Sequence, residues 1–152
     1  MTVTVKDNGY KTLFDNVPKV DGDVSVGVQG EQAAAQHPNS KLTVGELAAV
    51  HEFGLGRVPE RAFVRGFVDD GQAKALAPAA QLARMLLRGL ITQEEFRVRV
   101  GALLVEGMQK RMDDGIDPPL LAETINKKDG PPVPLEDTMT LRDAISAHWR
   151  GT

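Results

Sequence analysis

Two segments in which apolar and polar residues alternate lie in the first half and at the C-terminus of this 152-residue chain, with helical patterns between them. They are residues 24–28 (VSVGV) and residues 145–149 (ISAHW). Side chains of a strand point alternately to opposite faces, so each segment predicts a strand with one apolar face. Because that face must be covered, we expect the two strands to pair and helices to pack across them.

Residues between the two segments carry the spacing of helices. Thr43-Val44-Gly45-Glu46 and Thr92-Gln93-Glu94-Glu95 are capping boxes, which predict helices that begin at Thr43 and Thr92. The first helix is expected to end near Gly54, and the second to carry an apolar stripe as far as Met112. A shorter apolar stripe predicts a helix over residues 10–17.

Further elements are predicted from weaker patterns. Residues 1–5 alternate like a short strand, and residues 118–130 predict a short helix. Residues 30–42 have the composition of a loop, in which the three alanines at 33–35 are ambiguous. Pro59 suits the first position of a helix that continues towards Gly71, followed by another helix over residues 76–90. The predicted fold is one α+β domain over residues 1–152. It has a small antiparallel sheet of N- and C-terminal strands, with long helices on one face.

Composition excludes several classes of protein. The absence of cysteine excludes disulfides, cysteine nucleophiles and thiolate-bound zinc or iron–sulfur sites. No apolar run reaches the ~18 residues that a membrane span needs, and the N-terminus lacks the pattern of a signal peptide. We expect a chain made in the cytosol, with no membrane partner.

Charge is distributed unevenly along the chain, whose net charge is −3. Residues 1–54 hold 4 basic and 7 acidic side chains, residues 55–112 hold 10 and 6, and residues 113–152 hold 4 and 8. A basic middle between acidic ends permits head-to-tail contact between copies. The same distribution is also typical of solvated helix faces on which arginine is a good helix former.

Candidate catalytic and metal-binding patterns are incomplete. His51-Glu52 opens like a zinc-protease helix, but position 55 is Leu where the second histidine would stand. Nothing in the sequence places His37 or His148 near His51, and no serine lies in a nucleophile-elbow motif. We therefore expect no catalytic residues, no metal, no cofactor and no enzyme activity.

Three arginines offer a nucleic-acid alternative. Arg57, Arg61 and Arg65 recur every four residues and would line one side of the helix expected after Pro59. They would contact phosphates in a small non-specific DNA-binding protein, or pair with Glu60 and with the acidic ends of a neighbouring copy. The low net charge disfavours sequence-specific DNA recognition.

One stretch carries a resemblance to a known family. Residues 43–54 (TVGELAAVHEFG) and residues 58–65 (VPERAFVR) closely resemble the "VAELAAIHEFG…IPERPFLR" core of bacteriophage neck and tail-completion proteins, also called virion morphogenesis or minor tail proteins. The similarity extends over about residues 20–150, with residues 1–19 as an N-terminal extension. Ala62 stands where that family often has proline, and Met139 where Asp-Thr-Gly is usual.

The resemblance implies a structural subunit of a long-tailed phage virion at the head–tail junction, assembled in the host cytoplasm. Such a subunit forms a ring with copies of itself, a hexamer or a dodecamer, between the head connector and the tail tube or terminator proteins. DNA passes through the lumen with weak, non-specific contact. A tail terminator or a connector adaptor is the alternative within the class. The expected interface residues lie in and just after the motif: His51, Glu52, Arg57, Pro59, Glu60, Arg61 and Arg65.

Overall fold

The computed structural model describes residues 6, 8–17, 22–38, 40–119 and 139–151. The strand predicted over residues 1–5 and all but the first two residues of the helix predicted over 118–130 lie outside the described residues. None of the described helices is long and apolar enough to span a membrane.

The two alternating segments form one antiparallel sheet, as predicted. Strand β1 (Asp23–Val28) pairs with strand β2 (Ile145–Arg150) in a register that places Val26 opposite Ala147. This register puts the valines of β1 on the same face as the apolar residues of β2, and a long helix packs against both strands. The opposite face is polar, where Gln29 Nε2 donates to the carbonyl oxygens of Ser25 (3.1 Å) and Ser146 (2.9 Å).

Most of the predicted helices are confirmed. They are α1 (Tyr10–Asn16), α3 (Val44–Phe53), α6 (Ala79–Leu87) and α7 (Gln93–Asp113). Both capping boxes form: the amide of Glu46 donates to Thr43 Oγ1 at 3.2 Å, and the amide of Glu95 donates to Thr92 Oγ1 at 3.1 Å. In each box the threonine side chain accepts the backbone amide of the glutamate, and the glutamate side chain accepts that of the threonine. This pattern of residue types made both helix starts predictable from the sequence.

Two expectations are wrong. Residues 30–42 are not all loop, because Gly30–Ala34 form the short helix α2. Pro59 does not begin a helix: residues 59–62 have no regular secondary structure, and α4 (Phe63–Gly66) starts four residues later. From there the chain continues through a π-helical turn (Phe67–Gly71) into α5 (Gln72–Leu76).

Helix α7 forms the centre of the core and crosses the apolar face of the sheet. Gly101 lets α7 approach β2 closely, because a β-carbon there would lie 3.2 Å from that of Ala147. Trp149 of β2 also binds α7, because its indole N–H donates to the carbonyl of Arg97 at 3.0 Å. The largest fully buried side chains come from α3, α4, the π-helical turn and α7: Val44, Phe63, Phe67, Met108 and Met112.

A strained backbone conformation precedes the last helix, at Met139. Met139 has a φ of 57° and precedes helix α8 (Thr140–Asp143), which leads directly into β2. Arg142 on α8 binds Asp113 at the end of α7 with two hydrogen bonds, of 2.6 and 2.9 Å. Met139 is one of the two positions at which the sequence departs from the resembling family.

Glycine at position 139 is expected to stabilise the fold. The left-handed conformation costs a non-glycine residue about 1–2 kcal/mol, and the extra flexibility of glycine in the unfolded chain returns about half of that. We therefore expect Met139→Gly to raise the free energy of unfolding by about 0.5–1 kcal/mol in urea titrations. Met139→Ala keeps the β-carbon and is the control; equal stability of the two variants would contradict the assignment.

Candidate functional site

The segment that carries the resemblance, residues 43–65, folds into a compact corner between α3 and α4. Helix α3 ends at Gly54, which adopts a φ of 66° and donates its amide to the carbonyl of Val50. The amide of Leu55 donates to the same carbonyl at 3.1 Å. A β-carbon on Gly54 would lie 2.6 Å from the Glu60 amide nitrogen, so both the conformation and the close approach require glycine here.

Glu52 joins the two helices of the corner. Its side chain is buried, and its two oxygens accept the backbone amides of Val64 (2.9 Å) and Arg65 (3.0 Å). These amides lie in the first turn of α4, where they have no partner within the helix. Ala62 precedes α4 and has no side-chain group that binds them. Glu52 therefore caps a helix that begins eleven residues later, and its negative charge also complements the positive end of the α4 dipole.

Arg65 completes this arrangement from the other side. Its Nε donates to Glu52 at 3.0 Å, and one terminal nitrogen donates to Glu60 at 2.9 Å and to the Glu52 carbonyl. The guanidinium also lies 5.1 Å from the ring centre of Phe53, within the range of a cation–π contact. These bonds raise the pKa of Arg65, chiefly through the hydrogen bond to Glu52. Glu52, Glu60 and Arg65 thus form ion pairs with each other within the corner.

Arg61, which is buried, and His51, which is half-buried, form the inner side of the corner. The amide of Arg61 donates to the carbonyl of His51 at 2.7 Å, and its guanidinium donates to the carbonyls of Pro118 (3.0 Å) and Pro119 (3.5 Å). Arg61 is only 5% exposed, and burial lowers the pKa of its guanidinium. Within the described part of the chain, the buried His51 Nδ1 has no hydrogen-bond partner. Burial, with smaller contributions from Arg61 and His37, lowers the pKa of His51 to about 4.

The structure brings the seven predicted residues into this one corner but divides their roles. Glu52 and Arg61 are buried and His51 is half-buried, whereas the other four, Arg57, Pro59, Glu60 and Arg65, are exposed. The predicted row of three arginines along one helix is wrong, since Arg57 lies in the turn and Arg61 in the irregular segment before α4. The contacts of Arg61 with the prolines argue against the intersubunit ion pair expected from it.

Exposed apolar side chains are the feature that the sequence patterns missed. On the corner, Phe53 is 58% exposed and Leu55 is 52% exposed. On α1, Tyr10 and Phe14 are 66% and 72% exposed. Helical spacing identified the apolar face of α1, but spacing does not reveal whether a face is covered. Large apolar side chains grouped at a surface are typical of protein–protein contact.

A further surface feature is a cleft beside the C-terminal half of α7. The cleft, of about 480 Å³, lies between the π-helical turn and α7. Four of the charged residues that line it form two ion pairs, Lys110 with Asp114 at 2.8 Å and Arg111 with Asp70 at 3.8 Å. Over the same described ranges, His, Asp and Glu residues form no cluster of three or more that would hold a metal ion.

No protein-family model, no curated protein and no solved structure matches this chain. Any inference about function must therefore start from the residues of the corner. Arg65 forms ion pairs with Glu52 and Glu60, and the neighbouring Phe53 and Leu55 are exposed.

Proposed function

We propose that this chain is a structural subunit of a long-tailed phage virion, joining head and tail as part of a ring of identical copies. The observation that carries the proposal is the corner of residues 43–65, which resembles the core of neck and tail-completion proteins. In this corner Glu52 and Arg65 serve to fix two helices, and Phe53 and Leu55 stand exposed beside them. A rigid element with an apolar outer surface is suited to binding another protein.

Ring assembly requires that one surface of a subunit fits a different surface of the next. The chain offers two separate apolar patches for such contact: Phe53 and Leu55 on the corner, and Tyr10 and Phe14 on α1. The opposed charges of the basic middle and the acidic ends would help to set the register. Six copies would match the symmetry of a tail, and twelve that of a connector.

A role as a DNA-binding protein has less support from these residues. Arg61 is buried against Pro118, and Arg65 is paired with Glu52 and Glu60, so Arg57 alone of the three arginines remains available in the corner. A phosphate-binding surface normally needs several unpaired cations. We therefore assign DNA only weak contact in the lumen of the ring.

The proposal is tested by locating the chain in virions of the phage that encodes it. A tagged copy is expected at the head–tail junction in electron micrographs, and deletion of the gene is expected to leave heads and tails unjoined. A position at the tail end alone would favour the tail terminator, and a position at the portal the connector adaptor. Intact, tailed, infectious particles without the protein would refute a joining role.

Substitution of the exposed apolar patch separates assembly from folding. Leu55→Glu is expected to fold normally, because the side chain at position 55 is 52% exposed, and to fail to restore plaques to the deletion phage. Val68→Glu is a matched control, since Val68 is also 52% exposed but lies outside the corner. Full complementation by Leu55→Glu would exclude this patch as a contact surface.

A further inference from the structure

Residues 71–93 are the longest part of the chain that contains no aspartate or glutamate. They include helices α5 and α6 and the turn that leads into α7, and their charged side chains are Lys74, Arg84 and Arg88. In the whole chain acidic residues outnumber basic ones, 21 to 18. This segment is therefore a local exception, with positive charge only, in an acidic protein.

The three cations lie on the exposed side of these two helices. Helix α6 turns Leu86 into the core, whereas Arg84 and Arg88, four residues apart, are exposed neighbours on its outer side. The backbone keeps helical angles between α5 and α6. Lys74, Gln81 and Arg88 are spaced by seven residues and therefore share one side as well. We call the surface formed by Lys74, Gln81, Arg84 and Arg88 the basic face.

The cations of the basic face are not neutralised by their surroundings. Within the residues that the structure describes, none of the three forms an ion pair, whereas five other cations bind carboxylates: Lys11, Arg65, Lys110, Arg111 and Arg142. Helix α1 packs on α6, but its Asp15 is bound to Lys11 at 2.9 Å. Asp70 precedes Lys74 by one turn and lies 3.8 Å from Arg111. The positive charge of the basic face thus remains available to a partner.

The composition of the basic face indicates the chemistry of that partner. Protein interfaces are enriched in aromatic and other large apolar residues, but no large apolar side chain is exposed over the described residues 72–88. Interfaces with nucleic acids are polar and positively charged. Between the cations the exposed residues are small or uncharged: Ala73, Ala77, Pro78, Ala80 and Gln81. Small residues let a phosphate backbone approach the helices, and arginine donates strong hydrogen bonds to phosphate oxygens.

We propose that the basic face binds the phosphate backbone of duplex DNA without regard to its sequence. This inference rests on the proposed ring around DNA and specifies which surface of each copy meets the duplex. Contacts to phosphates carry no sequence information, so no reading helix is required. Each copy in a ring would add its own three cations to the same duplex, so that contacts that are weak singly become significant together.

The proposal is tested by binding of the purified chain to a fluorescent duplex over a range of salt concentrations. Neutralisation of three phosphates releases their counterions, so the logarithm of the binding constant is expected to fall against the logarithm of salt concentration with a slope of about −2.7. The affinity should then decrease about 40-fold between about 50 and about 200 mM salt. Two duplexes of different sequence are expected to bind equally.

Substitution of both arginines isolates the basic face. Arg84→Ala combined with Arg88→Ala leaves Lys74 as the cation of this face, so we expect a slope of about −0.9 and a decrease of only about 3.5-fold over the same salt range. Lys41→Ala combined with Arg150→Ala is the matched control, because it removes two exposed cations outside the basic face and is expected to keep the slope of the natural chain. Equal slopes for the arginine variant and the natural chain would overturn the proposal. Failure of the natural chain to bind the duplex at the lowest salt would overturn it as well.

A second copy of the chain is the other possible occupant of the basic face, through its acidic ends. Sedimentation velocity without DNA distinguishes it: self-association that salt weakens and the double arginine variant abolishes would show a protein partner and overturn the DNA contact. If the chain lies at the head–tail junction and yet binds no duplex, this inference fails while the joining function stands. If it binds duplex through the basic face but is absent from the junction, the joining function alone is refuted.

Discussion

Glu52→Ala is expected to destabilise the chain by about 3 kcal/mol. The substitution removes a carboxylate that caps two amides of α4, those of Val64 and Arg65, which then lose their partner at the end of a helix. Loss of an N-cap costs about 1 kcal/mol, and each buried donor left without a partner costs about 1–3 kcal/mol. The corner would loosen as a whole, because Glu52 is also the contact through which Arg65 ties α4 to α3.

The effect is measured as the free energy of unfolding from urea titrations followed by circular dichroism. Glu52→Gln retains one oxygen as an acceptor and is expected to recover part of the loss. Glu60→Ala is the control for charge, because it removes the exposed partner of Arg65 and leaves both capped amides in place. If Glu52→Ala and Glu60→Ala were equally stable, the carboxylate of Glu52 would not hold the corner.

Local signals were readable from the sequence because cause and effect lie within a few residues. The threonine and glutamate of each capping box belong to the same helical turn, so the starts of α3 and α7 were predicted correctly. The pairing of β1 with β2 followed from a different rule, the need to cover two apolar faces. Both inferences use only spacing and polarity, which the sequence displays directly.

Features fixed by contacts between distant residues were not readable. Pro59 has the conformation that a first helical position requires, but α4 begins at Phe63, where Glu52 from another helix supplies the cap. The burial of Arg61 depends in the same way on Pro118, 57 positions along the chain. The exposure of Tyr10 and Phe14 was not predicted either. Helical spacing identifies an apolar face, but it does not show whether another element covers that face.

The motif acquires a physical explanation from these contacts. Glycine at position 54, glutamate at 52 and arginine at 65 are each required by backbone geometry or by hydrogen bonding within the corner. Requirements of this kind preserve the shape of a surface. They are what a subunit needs if its task is to hold a fixed angle against its neighbours.

Acid is expected to destabilise the fold through His51, and this is the second large effect. Its pKa is about 4 in the folded chain, because burial next to Arg61 and His37 disfavours the charged ring, against about 6.5 in the unfolded chain. Between these two values the unfolded chain binds more protons than the folded chain. The free energy of unfolding therefore falls as the pH falls from about 6.5 to about 4, by about 3 kcal/mol in total, and this contribution stays constant below that range.

The contribution of His51 is isolated by comparison with His51→Gln, which cannot take up a proton. Carboxylates such as Glu46, Glu95 and Asp113, whose pKa values are lowered by their hydrogen bonds, lose their stabilising effect in acid in both proteins and cancel in the difference. We expect the stability of the natural chain relative to His51→Gln to decline as the pH falls from about 6.5 to about 4. Parallel profiles for the natural chain and His51→Gln would show that the ring is accessible to water, and the inner side of the corner would then have to be more open than its contacts indicate.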